Sequence, residues 1–157
     1  MENFICRQAT IDDLETLLEF EQGIIVAERP FDPTIKEDPV TYYNLREYIL
    51  SDDVEVIVVE VHGEVIASGY ALIKSARPYL NHEEYAYLGF MYTRPDYRGQ
   101  GVNKLVVDEL KKWASTKGMD EIRLTVYDDN IPAIKAYERV GFKKHIIEMR
   151  MPTQKTD

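Results

Sequence analysis

The spacing of apolar residues changes along the chain, and each change predicts an element. Phe4-Ile5-Cys6-Arg7 reads as a short strand. Ile11, Leu14, Leu17, Leu18 and Ile24 then recur at helical spacing. Thr10 stands before them with Asp12 and Asp13 in the first turn, so one helix is expected to about Ala27. Pro30, Pro33 and Pro39 break the next stretch, and a second helix is predicted over Val40 to Leu50. Val54 to Val61 and Glu64 to Ser75 read as strands around a tight His62-Gly63 turn, and Glu84 to Thr93 as a further strand ended by Pro95.

From Val102 the period is helical again. Val102, Leu105, Val106, Leu110, Trp113 and Ala114 share a face until Gly118 stops the helix. Ile122, Leu124 and Val126 alternate in another strand, Asn130 opens a short helix through Val140, and His145 to Met151 predicts a closing strand. The order is β-α-α-β-β-β-α-β-α-β. No repeat or linker divides it, so residues 1–157 are expected to form one α/β domain with its core over 4–151.

Charge sharpens this picture. The formal net charge is -9, which argues against binding along nucleic acid. Fourteen Asp/Glu against three Lys/Arg lie between Ile11 and Glu60, whereas six basic residues against three acidic lie between Met91 and Lys117. Such a chain can hold a cationic ligand beside an anionic one, although solvated surface explains most charge runs. No apolar run is long enough to span a bilayer, and Met1-Glu2-Asn3 lacks the basic start of a secretory signal. Cys6 is the only cysteine, so a reducing, cytoplasmic setting is expected. His62, His82 and His145 have no partners at ligand spacing, so no metal site is expected.

The most informative stretch is Thr93-Arg94-Pro95-Asp96-Tyr97-Arg98-Gly99-Gln100-Gly101-Val102-Asn103. A strand ends, a proline forces a turn, and two glycines lead into an amphipathic helix. Backbone N–H groups there can approach an oxyanion, and the helix dipole favours negative charge. Arg94, Arg98 and Lys104 add cations. A P-loop would need Gly-Lys-Ser/Thr at the helix start, and a dinucleotide fingerprint would need glycine where Lys104 stands. A glycine-rich turn that merely connects strand and helix is the bland alternative.

The same stretch resembles the pyrophosphate-binding motif of the GNAT acetyltransferase superfamily, Arg/Gln-x-x-Gly-x-Gly/Ala, with Arg98 at its first position and Gly101 at its middle glycine. Asn103 departs from the final Gly/Ala. Asn130 to Phe142 resembles the superfamily's Asn-x-x-Ala-x-x-x-Tyr-x-x-x-Gly-Phe signature through Asn130, Ala133, Tyr137 and Gly141-Phe142. The resemblance implies a mixed, mostly antiparallel sheet of about six to seven strands with helices on both faces. It also implies acetyl-CoA as co-substrate, held by Met91, Tyr92, Thr93, Arg98, Gly99, Gln100, Gly101, Val102, Asn103, Lys104, Asn130, Ala133 and Tyr137. Many relatives are dimers, so a homodimer is a possible partner state.

Acetyl transfer to an amine sets three tasks. An amine of pKa near ~10 must lose a proton, an oxyanion needs donors, and a thiolate of pKa near ~8.5 leaves more readily when protonated. By resemblance, the backbone of Met91 and Thr93 serves the second task and the Tyr137 phenol the third. Glu84, at the start of the central strand, is the candidate base, although the position that aligns carries Tyr85, and alternate strand residues face opposite sides. Asn130 is equally read as a helix N-cap. The expected function is N-acetylation of a primary amine by direct attack, the acceptor being a cationic small molecule or peptide. The alternative is a non-catalytic acyl-CoA-binding sensor or partner module.

Overall fold

The computed structural model describes residues 3–154. Among these residues five strands form one sheet in chain order: β1 (Ile5–Gln8), β2 (Val54–Val61), β3 (Glu64–Ser75), β4 (Glu84–Thr93) and β5 (Ile122–Arg123). Each neighbouring pair is antiparallel except β4 and β5, which run parallel. Four helices accompany it: α1 (Leu14–Glu28), α2 (Leu45–Leu50), α3 (Val102–Thr116) and α4 (Ile131–Arg139). The mixed α/β architecture is the one expected, with fewer strands than the six to seven anticipated.

Both faces of the sheet are covered, because alternate residues of the central strands feed two cores. On one face Ile57, Val59, Val61, Ile66 and Leu88 pack with Val102, Val106 and Leu110 of α3. On the other, Val56, Val58, Tyr70 and Phe90 pack with Leu17 and Phe20 of α1 and Leu45 of α2. A Cβ on Gly69 would stand 2.6 Å from Val106 Cγ1, so α3 rests almost directly on the β3 backbone.

Three expectations need correction. The strand expected to run from Ile122 to Val126 is formed only at Ile122–Arg123. The second helix begins at Leu45 rather than Val40. Glu21, 1% exposed, accepts the backbone N–H groups of Tyr42 (3.0 Å) and Tyr43 (2.8 Å), which holds that stretch extended until Asn44 caps the helix. The strand predicted over His145 to Met151 is absent, because those residues pair with no strand. Replacing Glu21 by leucine fills the space but offers no acceptor, leaving two partly buried donors unmatched. We expect a loss of about 2–4 kcal/mol in urea unfolding, and an unchanged midpoint would remove Glu21 from this role.

Candidate active site

Two strands that start side by side and then part make the centre of the site. β4 and β5 pair only at Ala86–Ile122 and Tyr87–Arg123. Beyond Tyr87, β4 runs on to Thr93 without a partner on that side, leaving the outward backbone groups of residues 88–93 outside any ladder. A bulge deepens the parting. The β3–β4 register shifts between Ser68 and Tyr70, and Phe90 takes φ +57°. Leu88 therefore faces the α3 core while Phe90 faces the α1 core, and Ser68 Oγ donates to the Phe90 carbonyl at 3.0 Å. Met91 then turns to the α3 side and Tyr92 to the α1 side, where its ring lies 4.6 Å from Phe20.

At the far end of β4 the glycine loop closes on the strand. Arg98 Nε donates to the Thr93 carbonyl at 2.9 Å, so that carbonyl is already occupied. Gln100 Nε2 reaches the Asp96 carbonyl at 3.3 Å. Gly99 and Gly101 take φ +79° and +80°, a region that disfavours other residues. Gly101 is also the N-cap of α3 and brings no side-chain acceptor, which leaves the first N–H groups of the helix, those of Val102, Asn103 and Lys104, turned outward. A Cβ at either glycine would meet nothing within 4 Å, so the space beside the loop is open. Donors, dipole and space fit a diphosphate. Lys104 is held to Asp108 at 2.7 Å. Arg94 belongs elsewhere: it donates to the Val65 carbonyl and lies over the Phe20 ring.

Tyr137 projects from α4, whose start Asn130 caps by accepting the Ala133 N–H at 3.4 Å. Its ring meets Phe142 edge-on at 5.8 Å. Burial pushes its phenol up to about 12, with Glu28 and Tyr87 adding to the effect, so it keeps its proton at any physiological pH. Tyr87 stands at the fork of the two strands and donates to Thr125 Oγ1 at 3.1 Å. Glu84 lies exposed at the opposite end of β4 from the loop, across from Ser75. Tyr85 beside it lies under the Arg123 guanidinium at 3.9 Å.

One carboxylate acts electrostatically on Tyr137, that of Glu28 at the end of α1, and Asp32 in the turn that follows acts in turn on Glu28; sequence reasoning singled out neither. Glu28, at the last turn of α1, is half-buried; desolvation raises its carboxyl above the usual range, offset by a hydrogen bond from Tyr42. Asp32 accepts the Tyr127 hydroxyl at 3.0 Å and the Thr34 N–H at 2.9 Å, and Arg150 stands 3.2 Å away. The Thr34 bonds hold its carboxyl well below the usual range. Phe31 stacks on Tyr127 at 6.0 Å. The acidic tally of the first third pointed to this region, but no spacing rule picks out Glu28 and Asp32 within it. A separate recess of about 420 Å³ between α1 and residues 41–46 contains none of the expected site residues. Among the described residues no helix is long and apolar enough to cross a membrane, and no group of His, Cys, Asp and Glu is disposed to hold a metal ion.

Comparison with known proteins agrees with this fold. The model of the acetyltransferase (GNAT) family matches residues 21–142. Thialysine N-epsilon-acetyltransferase of Sus scrofa is 36% identical over 55 residues, covering 35% of this chain and 32% of that protein. The matching stretch thus spans about a third of the curated relative. A mutant of the BH1408 protein from Bacillus halodurans superposes with a TM-score of 0.85 at 20% identity, over 96% of this chain and 99% of that one. A predicted acetyltransferase from Clostridium acetobutylicum, solved with acetyl-CoA, gives a TM-score of 0.74 at 20% identity over 96% of each chain. These structural likenesses show a shared fold, while the family match covers both the parted strands and the glycine loop: the chain belongs to the acetyltransferase (GNAT) family.

Proposed function

We propose that this chain, acting as one domain, transfers the acetyl group of acetyl-CoA to a primary amine of a cationic small molecule or peptide, by direct attack and without an acyl-enzyme. The observation that carries the reading is the junction of parted strands with the glycine loop. Outward N–H groups at the start of α3 suit the diphosphate, and unladdered backbone on β4 suits the pantetheine arm and the thioester oxygen. In the reaction a C–N bond forms and a C–S bond breaks. One proton leaves the amine, and one reaches the thiolate. Tyr137 is the hydrogen-bond donor at the sulfur. Met91 and Tyr92 line the fork by position, and Asn103 and Lys104 present backbone donors.

The acceptor reading rests on Glu28 and Asp32. Glu28 acts on Tyr137 and accepts from Tyr42, while Asp32 acts on Glu28 and accepts from Tyr127, so an amine drawn between the two carboxylates would arrive carrying positive charge. Asp32 already holds one cation, the guanidinium of Arg150. Glu28 is better placed than Glu84 to take the amine's proton, directly or through water, because it is Glu28 whose charge is felt at Tyr137. Cys6 plays no part; burial pushes its thiol up to about 11, as suits an inert thiol in a reducing cytoplasm.

Thiol release from acetyl-CoA against polyamines, aminoglycosides, basic peptides and neutral or anionic amines tests the proposal. Release with cationic acceptors is expected. Coenzyme binding with no release across the panel would mark a sensor, and release only with neutral or anionic amines would reject the cationic acceptor. For Glu28→Gln we expect KM for a cationic acceptor to rise about tenfold, the size of one well-placed charge contact, with coenzyme affinity unchanged. The fold itself should not suffer. A carboxyl raised by burial contributes stability only while protonated, below the unfolded-state value, and loses it as pH rises through the folded one. At neutral pH the glutamine variant should therefore melt no lower than wild type, and a lower midpoint would show Glu28 to be structural.

A further inference from the structure

A buried hydroxyl lies where β3 and β4 lose their register. Ser68 pairs with Tyr92 and Tyr70 with Gly89, so two residues of β4, Phe90 and Met91, stand against Gly69 alone. Phe90 takes φ +57°, a region that bulky residues seldom enter and that persists only where the surroundings impose it. The surroundings here are close. Gly69 and Gly89 border the bulge, and each has a neighbour's side chain almost where its own Cβ would stand. For Gly69 these are Val106 Cγ1 at 2.6 Å and Met91 Sδ at 2.8 Å, and for Gly89 it is Tyr70 Cζ at 2.5 Å. Those contacts hold side chains. The peptide between Phe90 and Met91 is held by a hydrogen bond, donated by Ser68 Oγ to the Phe90 carbonyl at 3.0 Å.

A buried hydroxyl needs only some acceptor, and a serine can find one in its own strand. Ser68, 1% exposed, instead reaches across to the β4 residue whose backbone is left-handed. The direction of that bond has a consequence for the site. The Phe90–Met91 peptide is trans, so its carbonyl and its N–H point opposite ways. With the carbonyl drawn towards β3, the Met91 N–H is turned away from β3, to the side that β5 has left. The other polar group of Phe90, its own N–H, is directed at the Tyr43 hydroxyl.

We propose that Ser68 is a positioning residue for acetyl transfer: its hydroxyl fixes the Phe90–Met91 peptide so that the Met91 N–H is presented to the thioester oxygen at the fork. Its role rests on the coenzyme lying in the fork, as proposed above. Ser68 touches no reacting atom. It holds a donor that would otherwise have to turn as charge develops on the oxygen, and a donor aimed in advance is what lowers the barrier. Without the hydroxyl, the Phe90 carbonyl loses its partner, and the peptide is free to rotate towards another, carrying the Met91 N–H out of line.

Three substitutions in the full chain separate the hydroxyl from the packing. Ser68→Ala and Ser68→Val both lack the donor, one side chain being smaller than serine and one larger. Ser68→Thr keeps the donor at the size of valine. Infrared difference spectra of bound acetyl-CoA, isotopically labelled at the thioester carbonyl, read the contact directly, because a hydrogen bond to the oxygen lowers the carbonyl stretch. Wild type and Ser68→Thr should show the lowered stretch, and Ser68→Ala and Ser68→Val should return it towards the free value. Coenzyme affinity by calorimetry should hold in all of them, since the backbone donors at the start of α3 are untouched. Turnover with the fastest amine of the panel above should fall about tenfold in the two variants without the donor and recover with threonine. An equally lowered stretch in Ser68→Val and wild type would overturn the proposal, as would a wild-type stretch no lower than that of free acetyl-CoA. So would a loss common to alanine, valine and threonine, which marks packing rather than the donor. The stretch is read without an acceptor, so a protein that binds acetyl-CoA and acetylates nothing would sink the transfer reading and still report on Ser68.

Discussion

Replacing Gly101 by aspartate is expected to raise the dissociation constant for acetyl-CoA at least a hundredfold in calorimetric titration. Two effects act together. Gly101 sits at φ +80°, and a side chain there costs about 1–2 kcal/mol, least for Asn and Asp. The larger effect is charge. A carboxylate roughly 5 Å from a diphosphate charge costs about 3 kcal/mol at the effective dielectric near a protein surface, and the diphosphate bears more than one. Space is not the obstacle, since a Cβ at Gly101 meets nothing within 4 Å. Gly101→Asn therefore separates the effects, having the same backbone tolerance and no charge. We expect it to weaken binding by less than about tenfold, and salt to narrow the gap between the two variants. Equal affinities for wild type and Gly101→Asp would show that the diphosphate lies elsewhere.

For Tyr137→Phe we expect kcat to fall about a hundredfold, the usual scale of a lost acid or donor, with the coenzyme dissociation constant unchanged. The phenylalanine ring keeps the edge-on contact with Phe142, so stability should hold. With its phenol pushed up to about 12, the role proposed for Tyr137 is constrained. Giving its proton outright to a thiolate of pKa near ~8.5 would be uphill by roughly 5 kcal/mol. In the proposed reaction Tyr137 would thus act first as a hydrogen-bond donor to the sulfur as charge develops, and would transfer the proton only where the site raises the thiol as well. The pH dependence follows. In the proposed role the protonated phenol would be the working form, lost only as pH rises through about 12. The rate should climb with deprotonation of the amine and show no falling limb from pH 8 to 10. A limb in that range that disappears in Tyr137→Phe would contradict the assignment, as would equal kcat in the two proteins.

Much of this was legible beforehand for a physical reason. The glycine loop, the cap at Asn130 and the amphipathic face of α3 are local features, set by backbone preference and spacing within a dozen residues, and they appear where the pattern puts them. The second helix started five residues late because a buried carboxylate from a different helix, Glu21, claimed the backbone at Tyr42 and Tyr43. The alternation used to weigh Glu84 against Tyr85 holds only as far as the bulge at Phe90, beyond which the faces exchange. No residue type announces that shift.

By itself, the order of residues determined most of the element types, the glycine turn at the start of α3 and the tyrosine that follows it, because each rests on interactions between near neighbours. Tertiary structure alone decided which carboxylate acts on that tyrosine, where β4 leaves β5, and that the last alternating segment has no strand beside it. Those outcomes depend on contacts between residues as far apart as Tyr127 and Asp32, or Arg150 and Asp32, and no periodicity along a chain encodes which distant groups will meet.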